Sequence, residues 1–409
     1  MSQPVPSGRA TFPSLGKAQE TIIVGAGIAG LACARRLHDA GRRFLVISEN
    51  VGGRIQRSRD GAVNLGAYYV RADYTHVNRY VRLGRRIDRL TIRRHDRNSA
   101  YSYWDRRLLL NLPQATRFLR LLVQFRRHYD TLKERTAVIG QSEAIRSDAT
   151  LLNLYQQSAS DFIEEHQIGD LARWYLAPGL HGTTFASLHS VTAFTLLIGA
   201  LPALVPTYEF TPRFDRLVDG FATAIVTDTV TALLRDRSGY QIETRANGTL
   251  TTERVVMATP SDVARQLLGM PAIKQPVDAS MFHVVGRLRD SYRGADIHLF
   301  PESDPTLAIA RQESGTVLFS SRQVDPDLDR YFSNWEALDG KHWKPAFHVL
   351  GSNLIEAEQG PNLHLVGDHN IVGLEDAYLT GVYAANRIIA ATSAHSRTPA
   401  RLSSRGCDQ

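Results

Sequence analysis

The amino-acid sequence predicts an α/β fold, in which a domain built on a parallel sheet carries an inserted α+β domain. Three observations lead to this prediction. A buried strand, a glycine-rich turn, a helix and a second strand follow one another over 21–47. A strand and a helix of similar character lie near the other end of the chain, over 361–391. The long region between them has both helical and strand-like spacing, which indicates a second domain inserted into the first.

The first motif is a glycine-rich loop in TIIVGAGIAG, which is an apolar run followed by GxGxxG. Its first glycine permits a tight turn, its second lets the backbone approach a pyrophosphate, and its third allows a helix to pack closely on a strand. The helix that begins here offers free N–H groups and a positive dipole end to phosphates. This order of elements predicts a Rossmann-like dinucleotide-binding domain. The loop residues expected to contact the dinucleotide are Gly25, Gly27, Ile28, Ala29 and Gly30.

An acidic residue at the end of the second strand would bind the adenosine ribose. Counting from the glycine motif, the usual position falls on Ser48, and Glu49 follows directly. We therefore expect Glu49 to bind the ribose. The alternative is that Glu49 is an ordinary turn carboxylate.

A second glycine-rich loop follows this strand, with Gly52, Gly53 and Arg54 at its centre. The two glycines leave space beside a phosphate, and the guanidinium of Arg54 supplies a forked cation next to the pyrophosphate. NAD enzymes have no need of this second loop, whereas FAD is longer and would lie along it. The sequence therefore predicts FAD as the cofactor.

The third motif lies near the end of the chain, where a strand at 363–366 precedes a Gly-Asp step and a helix. Asp368 is placed to accept a hydrogen bond from a ribityl hydroxyl. The helix that begins near Glu375 would direct its dipole at the flavin edge where negative charge grows on reduction. The expected cofactor contacts of this motif are Gly367, Asp368, Glu375, Asp376 and Ala377.

These segments resemble the motifs of the flavin-containing amine oxidase superfamily, which includes monoamine and polyamine oxidases, protoporphyrinogen oxidase and phytoene desaturases. Two positions depart from the family pattern. Asn64 replaces an acid, and Asp376 replaces a glycine in the Glu-Gly-Ala step. The resemblance also implies FAD contacts from Gly66, Ala67 and the backbone near Val230.

The matches divide the chain into two discontinuous domains. We expect an FAD-binding domain, containing the Rossmann-like motifs, at 19–75, 207–264 and 354–393. The substrate domain is expected at 76–206 and 265–353. Polar and small residues at the two ends predict a disordered leader at 1–18 and a flexible tail at 394–409.

The resemblance implies hydride transfer from a substrate carbon to the flavin N5, while the protein supplies placement and excludes water. Amine oxidases of the superfamily have two aromatic rings that form a cage over the flavin. Trp343 is expected to form one wall, whereas the other wall falls on Gly373 or Leu374, so that wall is missing. The loss of one wall opens the flavin face to a larger or flatter substrate.

The residues expected to contact the substrate and take part in catalysis are Lys341, His342 and Trp343. The family also has a lysine near the flavin. Lys274 precedes the strand that should carry it, and His283 and Arg287 stand on that strand instead. Further histidines offer acid–base alternatives, although each is more simply a structural residue; they are His181, His189 and His369.

Three functions remain open on these grounds. We favour an FAD-dependent oxidoreductase that oxidises a C–N bond of an amine or amino acid derivative, with oxygen or another electron acceptor. The first alternative is a C–C desaturase or porphyrinogen-type oxidase of a flat apolar or isoprenoid substrate. The second is a non-catalytic flavoprotein that binds a partner. The fold alone does not decide between them, because it supports several chemistries.

Charge and hydropathy limit the partners. The net charge is +7, and ten arginines fall between Arg79 and Arg107. No recognition motif accompanies them, so we expect no nucleic-acid partner and a solvated face, with an anionic membrane or acidic partner as the alternative. The apolar stretch at 191–205 is too short and interrupted to span a bilayer. It predicts a buried helix, or else a membrane-dipping entrance for a lipophilic substrate.

Cysteine usage and the absence of a signal peptide suit a cytoplasmic protein, with membrane association as the alternative. Cys33 and Cys407 form no pair, and Cys33 is expected in the core. Covalent flavin attachment is therefore unexpected, with His369 as the alternative attachment point. No ligand pattern for a metal is present in the sequence.

Overall fold

The computed structural model describes residues 18–96, 99–271, 274–321 and 326–395. Its helices are α1 (Ile28–Asp39), α2 (Arg106–Leu110), α3 (Leu112–Ile139), α4 (Gln141–Arg146), α5 (Ala149–Gln156), α6 (Ala159–Glu165), α7 (Gly169–Leu171), α8 (Ala177–Thr184), α9 (Ala193–Ala200), α10 (Phe214–Leu217), α11 (Ser261–Leu268) and α12 (Leu374–His395). Its strands are β1 (Ala18–Ala26), β2 (Leu45–Val51), β3 (Tyr69–Arg71), β4 (Val81–Arg86), β5 (Ile92–His95), β6 (Ala100–Tyr101), β7 (Thr207–Pro212), β8 (Ile225–Thr227), β9 (Val230–Arg235), β10 (Tyr240–Thr244), β11 (Gly248–Met257), β12 (Gln275–Leu288), β13 (Ile297–Leu299), β14 (Thr306–Gln312), β15 (Gly315–Ser320), β16 (Phe332–Leu350), β17 (Glu358–Gly360) and β18 (Leu363–Leu365).

The first sheet has the order β17-β18-β11-β1-β2-β8, with β9 and β10 joined to β11 as an antiparallel extension. The strands from β18 to β8 are parallel. Ile22 and Ile23 of β1 are fully buried, as expected for a strand covered on both faces. The helices α1 and α12 pack against each other, and a Cβ at Gly381 would lie 2.0 Å from the carbonyl oxygen of Ala29.

The second sheet has seven strands in the order β16-β12-β15-β14-β13-β5-β6. Its strands β5 and β6 come from the first insert, and the other five come from the second insert. A small third sheet, β3-β7-β4, lies where the chain passes between the two regions. The inserted part of the chain therefore contains both helices and a sheet.

The helices of the first insert form their own apolar core. Phe118, Leu122, Phe125 and Tyr129 of α3 are buried in it, at the helical spacing seen in the sequence. The stretch 191–205 supplies α9, whose core side chains such as Phe194 are also buried. The expectation of a buried helix therefore describes this stretch better than an exposed entrance does. Within the described residues, no helix is long and apolar enough to cross a membrane.

The predicted Rossmann-like α/β fold with an inserted α+β part is confirmed. The first sheet draws its strands from all three segments that were assigned to the nucleotide-binding domain, although the domain limits themselves stay predictions. The two terminal predictions were slightly too long, because β1 begins at Ala18 and α12 continues to His395. The rest of the predicted leader and tail, including Cys407, lies outside the described residues.

Candidate functional site

One cavity of about 430 Å³ brings together the motifs from both ends of the chain. The predicted cofactor residues that line it are Gly25, Gly27, Ile28, Ala29, Glu49, Gly52, Gly53, Arg54, Gly66, Ala67, Val230, Gly367, Asp368 and Ala377. The structure does not bring Gly30, Glu375 or Asp376 to its wall. Of the three predicted substrate contacts, Trp343 lines the cavity, whereas Lys341 and His342 do not.

The first glycine loop has the local geometry that a dinucleotide requires. Gly25 has a φ of +108°, and a Cβ there would lie 2.5 Å from the carbonyl oxygen of Ala258. A Cβ at Gly27 would meet nothing within 4 Å, so this position leaves open space beside the backbone. A Cβ at Gly30 would lie 2.0 Å from the carbonyl oxygen of Gly25, which explains why Gly30 is needed for packing although it does not line the cavity.

The N-terminus of α1 faces the same cavity. Its N-cap is Gly27, and no side chain there accepts a hydrogen bond from the first turn. Because the first N–H groups of a helix have no partner within the helix, they are available to an anion in the cavity. Gly53 lies directly alongside, since a Cβ there would be 3.1 Å from the Cα of Gly27. The two glycine loops therefore lie side by side on the cavity wall.

Arg54 and Asp368 form a bridge between the second loop and the C-terminal motif. The Nη2 of Arg54 donates to the Oδ1 of Asp368, and its Nη1 donates to the carbonyl oxygen of Ala346 at 2.6 Å. Burial opposes ionisation of Asp368, but the guanidinium of Arg54 outweighs it and lowers the pKa of that carboxyl. Arg54 therefore lies on the cavity wall as expected, with its guanidinium already held by two protein groups.

Glu49 lies on the cavity wall within β2 rather than in a turn. Its Oε1 accepts a hydrogen bond from the hydroxyl of Thr229 at 2.9 Å, next to Val230. Asp228 and Thr229 also line this end, although the sequence analysis did not single them out. Asp228 is fixed by the side-chain amide of Asn247 at 2.6 Å. The only sequence signal for this pair was its position beside Val230.

Glu375 and Asp376 point away from the cavity and fasten α12 to other elements. Glu375 is buried and accepts hydrogen bonds from the backbone N–H groups of His76 and Val77, both at 2.9 Å. Asp376 accepts a hydrogen bond from the hydroxyl of Tyr129 at 2.7 Å. Burial raises the pKa of Asp376 to about 6. Ala377, one residue further along the helix, does face the cavity.

Aromatic side chains, most of them from the inserted part, form one end of the cavity, and we call this end the aromatic chamber. They are Tyr68, Phe185, Phe319, Trp343 and Phe347, together with Met281. The indole Nε1 of Trp343 donates to the carbonyl oxygen of Leu65 at 2.7 Å, which fixes the ring beside the second loop. Phe185 stacks on Phe347 with ring centres 5.4 Å apart. The sequence predicted only Trp343 of this set, because its other members come from separate segments.

The neighbours of Trp343 are directed elsewhere. The ammonium of Lys341 lies 4.9 Å from the centre of the Trp343 ring, and His342 is exposed, with its Nδ1 2.8 Å from the hydroxyl of Ser280. Gly373 and Leu374, which occupy the expected second wall, line the cavity and contribute no ring. Neither expected second-wall residue therefore supplies an aromatic ring to the cavity.

The remaining candidates from the sequence lie off the main cavity. Lys274 is buried, donates to the hydroxyl of Tyr155, and has its pKa lowered to about 8 by burial. The ring nitrogens of His369 lie 2.7 Å from the hydroxyl of Ser261 and 3.2 Å from the carbonyl oxygen of Val366. Four other candidates are also absent from the wall, namely His181, His189, His283 and Arg287. In the described part of the chain, no cluster of three or more His, Cys, Asp or Glu side chains is arranged to hold a metal ion.

A second, smaller cavity of about 70 Å³ adjoins the first. The two cavities share wall residues, namely Tyr69, Tyr74, Thr183 and Val372. Polar side chains on the wall of the small cavity include Arg71, His348 and Asn370. None of these three was singled out from the sequence.

Comparison with known proteins agrees with this geometry. Residues 23–82 match the model of an NAD(P)-binding Rossmann-like domain. Comparison with curated protein sequences gave no significant match.

Solved structures resemble the whole chain. Wild-type putrescine oxidase bound to putrescine is 15% identical, with 91% of this chain and 99% of that chain covered and a TM-score of 0.64. Cyclohexylamine oxidase from Brevibacterium oxydans IH-35A is 16% identical, with 92% and 99% covered and a TM-score of 0.63. An oxidoreductase from Methanosarcina mazei is 15% identical, with 90% and 100% covered and a TM-score of 0.61. The chain therefore contains a Rossmann-like dinucleotide-binding domain and shares its overall fold with putrescine oxidase and cyclohexylamine oxidase, in agreement with the fold that its sequence motifs predict.

Proposed function

We propose that this protein is an FAD-dependent oxidoreductase that oxidises a C–N bond of an amine or amino acid derivative. The observation that carries the proposal is a single cavity that joins two glycine loops and two helix N-termini to an aromatic chamber. The first part suits a dinucleotide, and the second suits an apolar substrate. The shared fold with two amine oxidases supports the reaction class.

The residues on the cavity wall fit FAD. The open space at Gly27 and the uncapped start of α1 suit the pyrophosphate, and Glu49 would bind the adenosine ribose. Asp368 is ionised beside Arg54 and can accept a hydrogen bond from a ribityl hydroxyl. When bound, FAD would supply the acceptor for a hydride from the substrate carbon.

Noncovalent binding is expected. Among the described residues, Cys33 is the free cysteine, and it is buried inside α1 away from the cavity. Both ring nitrogens of His369 are already close to protein groups, and burial lowers the pKa of this histidine to about 4. Neither side chain is therefore presented to a flavin.

The protein side chains would orient the substrate and exclude water. In the proposed reaction the amine loses a hydride from its α-carbon and a proton from its nitrogen, which gives an imine that water hydrolyses to a carbonyl compound. Oxygen or another electron acceptor would then reoxidise the cofactor. The aromatic chamber provides the dry surroundings, and the hydrogen bond from Trp343 to Leu65 holds one wall in place.

The test is the absorbance spectrum of the purified protein, followed by anaerobic titration with candidate substrates. We expect a yellow protein that releases FAD on denaturation, and bleaching of the flavin by an amine or amino acid with peroxide formed on readmission of air. A colourless protein that cannot be reconstituted with FAD would overturn the cofactor assignment. A flavin that no amine or amino acid bleaches would overturn the reaction.

A desaturase or porphyrinogen-type oxidase is the second candidate. It is favoured by the open second wall at Gly373 and Leu374, which leaves room for a flat substrate. Bleaching by a flat apolar substrate, together with no response to amines, would decide for this candidate. Failure of every reductant to bleach the bound flavin would instead support a non-catalytic flavoprotein.

Contact with an anionic membrane surface is a separate proposal. A group of exposed apolar side chains lies on α2, on the start of α3 and just before them; it comprises Trp104, Leu109, Leu110, Leu112 and Leu119. Exposed arginines such as Arg106 and Arg120 lie among them. Exposed apolar rings and chains flanked by arginine are typical of surfaces that bind the headgroup region of a bilayer.

A further inference from the structure

We propose that the small cavity beside the main one is a carboxylate-binding subsite for the substrate, formed by Tyr69, Arg71, Tyr74 and His348. The inference rests on the proposed function and refines it: the preferred substrate is an amine that also carries a carboxylate. The small cavity of about 70 Å³ has room for a head group of a few heavy atoms and not for a whole substrate.

The position of the small cavity fits this role. Tyr69 and Tyr74 belong to the walls of both cavities, and so does Thr183. A molecule that occupied the aromatic end of the main cavity could therefore extend a polar group into the small one. The subsite is an extension of the proposed substrate site rather than a separate pocket.

Arg71 presents one unused face to this cavity. Arg71 is almost completely buried, at 3% exposure, and its Nε donates to the Oδ1 of Asp73 at 3.0 Å. Its Nη2 lies 3.4 Å from the Oδ2 of Asp73 and 3.4 Å from the hydroxyl of Tyr129. Its Nη1 makes no hydrogen bond to the described residues. This atom is not fully enclosed by the protein and therefore keeps some accessible surface. Because Arg71 lines the small cavity, we infer that this nitrogen faces it.

Three more residues on the wall of the small cavity carry unpaired polar groups. The hydroxyls of Tyr69 and Tyr74 and the imidazole of His348 have no hydrogen-bond partner among the described residues, and none of their polar atoms is fully enclosed. Burial raises the pKa of both tyrosines, so their hydroxyls stay protonated and can donate. Burial also lowers the pKa of His348, which is therefore neutral near pH 7.

The chemistry of these groups selects an anion. A guanidinium nitrogen can only donate, and hydrogen bonds from it to a carboxylate are charge-assisted and strong. No acidic side chain lies on the wall of the small cavity within the part of the chain that the structure describes. A second ammonium group, as in putrescine, would face the guanidinium of Arg71 and meet no carboxylate on this wall. A carboxylate would satisfy the unused nitrogen of Arg71 and the two hydroxyls together.

Charged side chains near the small cavity do not cancel the attraction between Arg71 and a carboxylate. Lys133 lies 3.5 Å from the Oδ2 of Asp73, so that carboxylate is shared between two cations. Asp376 also lies near Arg71; it is bonded to Tyr129 and has its pKa raised to about 6 by burial. On the side of His348 the nearby acids are Asp262 and Asp368, and Asp368 is paired with Arg54. None of these acids is on the wall of the small cavity.

The experiment measures binding of phenylacetate and of its neutral isostere phenylacetamide to the purified, FAD-loaded protein by calorimetry. We expect phenylacetate to bind at least about tenfold more tightly, since a hydrogen bond to a charged group is worth about 1.5–3 kcal/mol. Tyr69→Phe removes only a hydroxyl. Arg71→Lys keeps the positive charge beside Asp73 but loses the forked pair of guanidinium nitrogens. Each should weaken phenylacetate binding about tenfold and phenylacetamide binding less, because a hydrogen bond to a neutral amide oxygen is weaker than one to a carboxylate. Tyr208→Phe, on the neighbouring strand β7 and off both cavities, is the matched control.

Equal binding of phenylacetate and phenylacetamide would overturn the subsite, and so would wild-type affinity of the Tyr69→Phe variant. If Arg71→Lys does not fold, Tyr69→Phe alone decides. The subsite and the reaction can fail separately. Oxidation of 2-phenylethylamine with the same kcat/KM as phenylalanine would refute the subsite and leave amine oxidation standing. Selective carboxylate binding without flavin bleaching by any amine or amino acid would refute the reaction and leave the subsite standing.

Discussion

Replacing Asp376 by asparagine should stabilise the folded protein in a pH-dependent way. The carboxyl group is 2% exposed, and burial raises its pKa from an ordinary 3.8 to about 6. Below pH 3.8 the carboxyl group is protonated in both the folded and the unfolded chain, so its ionisation does not change the free energy of unfolding. As the pH rises from 3.8 to 6 the unfolded chain loses its proton first, so folding becomes progressively less favourable. Above 6 the penalty levels off at about 3 kcal/mol.

The Asp376→Asn variant keeps an oxygen that can accept the hydrogen bond from Tyr129 and removes the penalty. The penalty in the wild type is about 1 kcal/mol at pH 4.5 and about 3 kcal/mol at pH 8. For a chain of this length, the difference of about 2 kcal/mol corresponds to about 2–3 °C in Tm. The Tm of the variant relative to the wild type should therefore be about 2–3 °C higher at pH 8 than at pH 4.5.

Thermal unfolding followed by circular dichroism at the two pH values measures this change. Asp130→Asn, at a half-exposed position on α3, controls for the removal of one negative charge. A Tm difference between Asp376→Asn and the wild type that is the same at both pH values would refute the reasoning.

Three further predictions follow from the same structure. Gly27→Ala should leave the stability of the cofactor-free protein unchanged and weaken FAD binding. Gly30→Ala should instead prevent folding, because its Cβ would collide with the glycine loop. Equal FAD titrations for Gly27→Ala and the wild type would contradict the role proposed for Gly27. Glu375→Gln should lower the Tm, with a loss of about 1–3 kcal/mol from the backbone hydrogen bonds. That loss should shrink as the pH falls. Burial opposes ionisation of Glu375, but hydrogen bonds from the side chain of His76 and from the backbone N–H groups of Val77 and His76 hold its pKa below the usual value, and protonation removes their advantage in the wild type as well. Leu110→Asp should reduce co-sedimentation with phosphatidylserine vesicles at low salt, and binding equal to the wild type would contradict the membrane proposal.

The sequence predicted the nucleotide half of the cavity well because its signals are local. A glycine at position 25 or 27 has a specific backbone role, and the strand-loop-helix order fixes where that loop lies in a parallel sheet. The sequence predicted the cavity residues less well where the direction of a side chain on its helix decides whether it lines the cavity. Along α12, Leu374 and Ala377 share one face, and the two acids between them point to other faces.

The substrate half was harder to predict because its walls come from separate segments. Phe185 follows α8, and Phe319 and Trp343 stand on two strands of the second sheet. Nothing local in the sequence marks them as neighbours. Side chains alternate along a strand, so Trp343 reaches the cavity while the adjacent His342 is exposed. Arg71 and His348 carried no motif, and only the tertiary fold places them on one small cavity.

The tight contact between Gly381 and Ala29 has a consequence for biosynthesis. Helices α1 and α12 stand near opposite ends of the described chain, and β18 and α12 supply the last part of the cavity wall. A nascent chain that has not yet emerged beyond α12 has no second helix to cover α1 and lacks the segment around Asp368. The recess for the cofactor therefore cannot be complete, and loading must wait, until the segment through α12 has left the ribosome.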